Sequence, residues 1–201
     1  MIKNIIFDLG NVLINFKPEQ FLLRYTKDKN RITKFISNII QSDTWLKLDR
    51  GIMSIKNARD DFISAYPEET ELIKIFFDHW QEMLTPISKN VNLLKELKSN
   101  GYRLYILSNY IIEAYEYVKE RYNVFSLFDG LVISGKINII KPEREIFQFL
   151  LQKYNLNPED SVFIDDIKQC IDQAGKLKIK TIHYLPNTDL RSELRKLEVK
   201  I

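Results

Sequence analysis

A chain of 201 residues with 45% apolar and 28% charged side chains has the make-up of a globular protein with room for one large core and an insertion. Its 30 lysines and arginines are scattered among 27 acidic residues for a net charge of +3, so no basic tract points to a nucleic acid or a membrane as partner. One cysteine, Cys170, and two histidines, His79 and His183, exclude an internal disulfide and argue against a zinc site built on His and Cys, which leaves carboxylates, Ser, Lys and Asn for any chemistry. The apolar runs are strand-sized and the first residues enter one without a signal-peptide pattern, so the expected location is the cytoplasm.

In chain order, KNIIFD (3 to 8) reads as a strand that ends in Asp8 and breaks at Gly10. The next clear strand comes about ninety residues later in the chain. Between them, residues 15 to 85 carry helical periodicity throughout, with Phe21, Leu22 and Tyr25, then Ile32, Phe35 and Ile36, then Leu72, Ile75 and Phe76. This segment is expected to be a helical bundle inserted after the first strand, placed over the sheet edge as a lid. Four more strands follow at YRLYILS (102 to 108), GLVIS (130 to 134), SVFID (161 to 165) and KIKTIHY (178 to 184), with helical patterns between them. Strands alternating with helices, and apolar at successive positions, predict an α/β core: a Rossmann-like parallel sheet with helices on both faces, formed by residues 1 to 14 and 86 to 201.

Four features then fall near the C-terminal ends of predicted strands, on the one rim where such sheets keep their ligands: Asp8, Ser108-Asn109, Lys141-Pro142 and Asp165-Asp166. Each alone has a plainer reading as a turn residue, a helix cap or a solvated lysine. Together they supply a carboxylate nucleophile, hydroxyl and amide donors, a cation and a pocket of hard oxygen ligands, which is the inventory for phosphoryl transfer. A carboxylate approaching a phosphate dianion is repelled by about 4 kcal/mol per unit pair at ~4 Å and an effective dielectric of ~20. Mg²⁺ held by Asp8, Asp166 and the Gly10 carbonyl would offset that repulsion, and Ser108 and Lys141 would bind the transferring group.

With these stretches in hand the chain resembles the haloacid dehalogenase-like hydrolase superfamily over essentially its whole length, through IIFDLGNVL, LYILSN, IIKPEREIF and VFIDD taken in order. The resemblance implies that Asp8 forms an aspartyl-phosphate, that Ser108 and Lys141 bind the transferring group, that Asp166 ligates Mg²⁺ with Asp165 beside it, and that residues 15 to 85 are a C1-type cap; Asn109, next to Ser108, is a further candidate to bind the substrate. The DLGNV wording is similar to that of the glucose-1-phosphate phosphatases and the phosphatase-like domains of epoxide hydrolases. The implied activity is Mg²⁺-dependent hydrolysis of small phosphate monoesters, sugar phosphates among them, by a monomer or weak homo-oligomer. A catalytically weak binder of phosphorylated metabolites and a haloacid dehalogenase are the alternatives.

Two departures from the superfamily pattern stand out. Where most of its phosphatases carry an acid-base aspartate two residues after the nucleophile, this chain has Gly10, and the help such a group gives is about 10²- to 10⁴-fold. Cys170 stands where Asn is common and is read as a small packed residue. Asn11, Asn15 and Lys17 are candidates to touch the substrate, with Trp45, Lys47 and Arg50 further along.

Overall fold

The computed structural model describes residues 1–201. Strands β1 (Asn4–Phe7), β2 (Arg103–Ser108), β3 (Gly130–Ile133), β4 (Ser161–Asp165) and β5 (Lys180–His183) form one parallel sheet in the order β3-β2-β1-β4-β5. All five expected runs are strands, shortened by at most two residues at an end. The third stops at Ile133 because Ser134 turns off into a helical turn. Successive apolar residues are needed because neighbours on a strand enter different cores: Ile5 and Phe7 join one hydrophobic cluster with Ile106 and Ile164, whereas Ile6 joins a second with Tyr105, Leu107 and Phe163.

The helices are α1 (Pro18–Leu22), α2 (Lys29–Phe35), α3 (Asp43–Arg50), α4 (Ile55–Ala65), α5 (Thr70–His79), α6 (Ser88–Ser99), α7 (Ile112–Arg121), α8 (Ser134–Ile137), α9 (Arg144–Lys153), α10 (Lys168–Lys176) and α11 (Leu190–Lys196). The last was not expected; Asp189 caps it and Leu190 and Leu194 bury its inner face. Helices α1 to α5 lie between β1 and β2, and every regular element between Asn15 and Thr85 is helical. Fourteen buried apolar residues from Phe21 to Met83 form a separate cluster there, with Trp45 edge-on to Phe76 at 6.1 Å. The insert leaves and returns through one root, where the Asn15 N–H donates to the Thr85 carbonyl at 2.8 Å and Ile14 bridges Pro86.

Helix α3 begins where the Ser42 side chain accepts the Trp45 N–H, and it ends at Gly51, whose φ of 75° closes the last carbonyls. The chain runs outward from β1 through β2 to β3 and then crosses to β4 and β5 on the other side. The strand order therefore reverses at β1, and the crevice beyond the ends of β1 and β4 is the expected ligand position in an open α/β sheet. No helix is long and apolar enough to cross a membrane.

Candidate active site

Register builds the centre of the site. Phe7 is paired with Ile164 and Ile106, so the next residue, Asp8, emerges beside Asp165 at the strand ends, and its N–H donates to the Ile164 carbonyl at 2.9 Å. Lys141 reaches both carboxylates, with Nζ 2.8 Å from Asp8 Oδ1 and 2.5 Å from Asp165 Oδ2. All three are buried: Asp8 is 6% exposed, Lys141 5% and Asp165 0%. Removing three charges from water is costly, and the mutual geometry is what offsets the cost. Burial pushes the Asp8 carboxyl well above the ordinary aspartate range; Lys141 pulls it back, and Asp165 and Asp166 push it further up. Burial works against the Lys141 charge, but Asp165 and Asp8 outweigh it and hold the ammonium above its usual pKa.

One carboxylate oxygen from each of Asp8, Asp165 and Asp166 lies within 4.8 Å of the others. The site therefore gathers three carboxylates around one lysine, an excess of negative charge in a buried crevice. Burial and then Asp165 raise the Asp166 pKa, so the cluster is under-neutralised by protein groups alone. Hard oxygen donors and surplus negative charge fit a divalent cation such as Mg²⁺. Asp165 Oδ1 is taken by the Ile167 N–H at 2.7 Å and Oδ2 by Lys141, whereas Asp8 Oδ2 is free of protein partners.

The remaining expected residues divide by what they touch. The Ser108 hydroxyl is buried and makes only long contacts, accepting the Leu9 N–H at 3.4 Å. The Asn109 amide is committed to the Lys141 backbone, accepting its N–H at 2.7 Å and donating to its carbonyl at 2.9 Å, so it positions the lysine. Asn11 adopts φ 54°, donates to Asp166 at 3.2 Å and accepts the Phe16 N–H at 3.1 Å. Lys17 is not brought to the cluster: it is exposed and lines a separate groove with Asn15, Arg24 and Glu82. Asn15 bonds Thr85, and Arg50 pairs with Glu143 at 2.5 Å. Gly10 does not have a positive φ, and a Cβ there would meet only Asp8 Oδ2, at 3.8 Å. Cys170 is buried, and burial pushes its thiol up to about 12, which suits packing and not redox chemistry.

A cavity opens above Gly10 and Asn109, between the sheet edge and the insert. Ten of its thirteen lining residues are apolar, among them Trp45, Phe76, Phe77, Trp80 and Ile111. The other three are Gly10, Asn109 and Asp49, the last from the final turn of α3, and among the ten the buried Tyr110 carries a hydroxyl that has no hydrogen-bond partner. Neither Asp49 nor Tyr110 was singled out in the sequence. Asp49 lies in a stretch that reads as an ordinary charged helix end, and Tyr110 follows the Ser108-Asn109 pair; no local signal marks either.

Comparison with known proteins bears on this arrangement. A profile described as haloacid dehalogenase-like hydrolase matches residues 2–168. The chain belongs to the haloacid dehalogenase-like hydrolases. Among the relatives of this hydrolase, the sesquiterpene phosphatase astK of Aspergillus oryzae is 25% identical over 195 residues, 97% of this chain and 96% of that one. The D-ribitol-5-phosphate phosphatase of Bacteroides thetaiotaomicron is 23% identical over 206 residues, covering 96% and 97%. The magnesium complex of a haloacid dehalogenase family enzyme from Bacteroides thetaiotaomicron superposes with a TM-score of 0.75 at 25% identity, covering 96% of this hydrolase and 98% of that chain. The expected fold class, enzyme class and cofactor thus agree with the family, and Mg²⁺ is the ion that the acidic cluster suits.

Proposed function

We propose that this hydrolase releases phosphate from small phosphate monoesters through an aspartyl-phosphate on Asp8. The observation that carries the reading is the buried contact of Asp8 with Lys141 beside Asp165 and Asp166, which pairs a nucleophile with the charge needed to receive a phosphoryl group. Asp8 Oδ2, unengaged by protein, attacks phosphorus; the Lys141 ammonium and the Ser108 hydroxyl stabilise the transferring oxygens. Asp8, Asp166 and the Gly10 carbonyl would hold Mg²⁺, with Asp165 anchored beside them, and the ion supplies charge neutralisation of the dianion. Asn109 and Asn11 keep Lys141 and Asp166 in place. Residues 15 to 85 act as a C1-type cap that excludes water from the crevice.

The leaving alcohol is best read as apolar. The cavity bordered by Gly10 and Asn109, each near one of the strand ends that carry the site, is walled by tryptophan, phenylalanine and isoleucine, with few polar atoms to satisfy the hydroxyls of a sugar, and unpaired hydroxyls would cost about 1–3 kcal/mol each. The full-length relationship to a sesquiterpene phosphatase supports the same class. This narrows the sequence expectation, which included sugar phosphates. A dehalogenase reading has no use for the extra carboxylate cluster, and a pure binder has no need of an unengaged Asp8 oxygen. Phosphate release from prenyl, aryl and sugar phosphates with added Mg²⁺ tests the proposal. Release abolished by Asp8→Asn and fastest with the apolar esters is expected; equal rates for Asp8→Asn and wild type would overturn it.

A further inference from the structure

We propose that Asp49, carried by the helical insert, protonates the departing alcohol oxygen, the task for which the turn after Asp8 has no carboxyl group. The inference rests on the phosphatase reading and deepens it. Gly10 leaves open space in front of Asp8, since a Cβ there would have no neighbour closer than 3.8 Å. The cavity that opens over this space has only one carboxyl in its lining, that of Asp49. The Asn109 amide is committed to Lys141, and Tyr110 is a phenol whose pKa burial raises beyond its ordinary value. The Asp49 carboxyl has no hydrogen-bond or ion-pair partner in the protein, whereas its backbone is tightly held.

That anchoring gives the residue a defined place. The Ser134 hydroxyl donates to the Asp49 carbonyl at 2.5 Å and accepts the Tyr110 N–H at 2.9 Å, so one side chain ties both cavity residues together. Next along α3, Arg50 pairs with Glu143, and the Asn138 amide donates to the Arg50 carbonyl at 2.9 Å. Gly51 then packs against the Gly135 backbone so closely that a Cβ would lie 2.1 Å from the Gly135 carbonyl oxygen. The end of α3 is thus clamped to the core on the side where β3 ends. Burial, followed by the nearby Asp8 charge, pushes the Asp49 carboxyl up to about 7, with Lys141 pulling it down.

The proton inventory closes. As an Asp8 oxygen bonds to phosphorus and the ester P–O bond breaks, Asp49 gives its proton to the alcohol oxygen and becomes a carboxylate. Water then attacks the aspartyl-phosphate, Asp49 takes the proton that water loses, and phosphate departs as the Asp8 carboxylate is restored. The experiment compares kcat/KM for wild type and Asp49→Asn on an alkyl phosphate and on p-nitrophenyl phosphate, whose leaving group needs no proton. The expected loss is about 10²- to 10⁴-fold on the alkyl ester and under tenfold on the aryl ester, with Asp49→Glu recovering part of it. Retained aryl activity also shows that the variant is folded. Equal losses on both esters, or none on either, would overturn the role of Asp49. Absence of any Asp8-dependent phosphate release in the wild type would instead overturn the phosphatase reading, and this one with it.

Discussion

The Lys141 ammonium donates to Asp8 at 2.8 Å although 133 residues separate them in the chain. The same nitrogen holds Asp165, so removing it leaves two buried carboxylates without their cation. Lys141→Met is expected to destabilise the metal-free protein by about 3–5 kcal/mol, the usual cost of breaking a buried pair from one side. Urea denaturation in the presence of chelator measures it, and a change under about 1 kcal/mol would mean that the carboxylates protonate without cost. Phosphate release should be lost in the same variant.

Asp8→Asn should behave in the opposite way toward stability. Ionised Asp8 is disfavoured by burial and by Asp165 and Asp166, so the neutral amide relieves repulsion while the shape is kept. The expected outcome is no turnover and a metal-free Tm at or above that of wild type. Added Mg²⁺ should raise the Tm of wild type more than that of Asp8→Asn, because ligand binding to the folded state stabilises in proportion to affinity. Excess chelator should abolish wild-type activity and Mg²⁺ should restore it. Activity that survives chelator would remove the acidic cluster as a metal site.

Gly10→Asp is expected to fold, since the backbone there is not left-handed and the side chain enters open space. In wild type the gain on alkyl phosphates should be small, because Asp49 already supplies the proton. In the Asp49→Asn background the same substitution should recover at least tenfold on alkyl phosphates and little on p-nitrophenyl phosphate. A plot of log rate against leaving-group pKa for the four proteins checks this; parallel lines would contradict it.

Gly51 and Gly101 make a matched pair for testing the clamp. Both have positive φ, 75° and 85°, but a Cβ at Gly101 meets nothing within 4 Å. Gly101→Ala should cost about 1 kcal/mol of stability and leave kcat/KM unchanged. Gly51→Ala adds a backbone collision with Gly135 that only movement of α3 relieves, so kcat/KM for alkyl phosphates should fall at least tenfold. Mg²⁺-induced stabilisation, expected from the acidic cluster and not from α3, should persist in both. Equal activity of the two variants would show that the α3 docking does not matter to the site.

Much of the candidate centre is legible along the chain because its determinants are local. An apolar run that is unbroken at successive positions requires a strand covered on both faces, and a residue at the end of such a strand lies on the ligand rim wherever the sheet is parallel. Asp8, Ser108 and Asp165-Asp166 are read in this way, and the break in strand-helix rhythm between β1 and β2 marks the insert. The helical pattern of the insert likewise follows from period alone.

What surrounds that centre was decided by tertiary structure. The roles of Asn109 and Asn11 depend on which neighbour consumes their amides, Lys141 backbone in one case and Asp166 in the other, and local sequence carries no record of that choice. Lys17, three residues from the root of the insert, faces another groove because of where the chain turns into α1. Asp49 is a charged residue on an amphipathic helix by every local criterion; it becomes a cavity residue because Ser134, 85 residues later, together with Glu143, Asn138 and Gly135, holds the end of α3 against the core. Periodicity determines which face of a helix is buried, but the contact that aims one side chain at a site comes from packing between elements far apart in the chain.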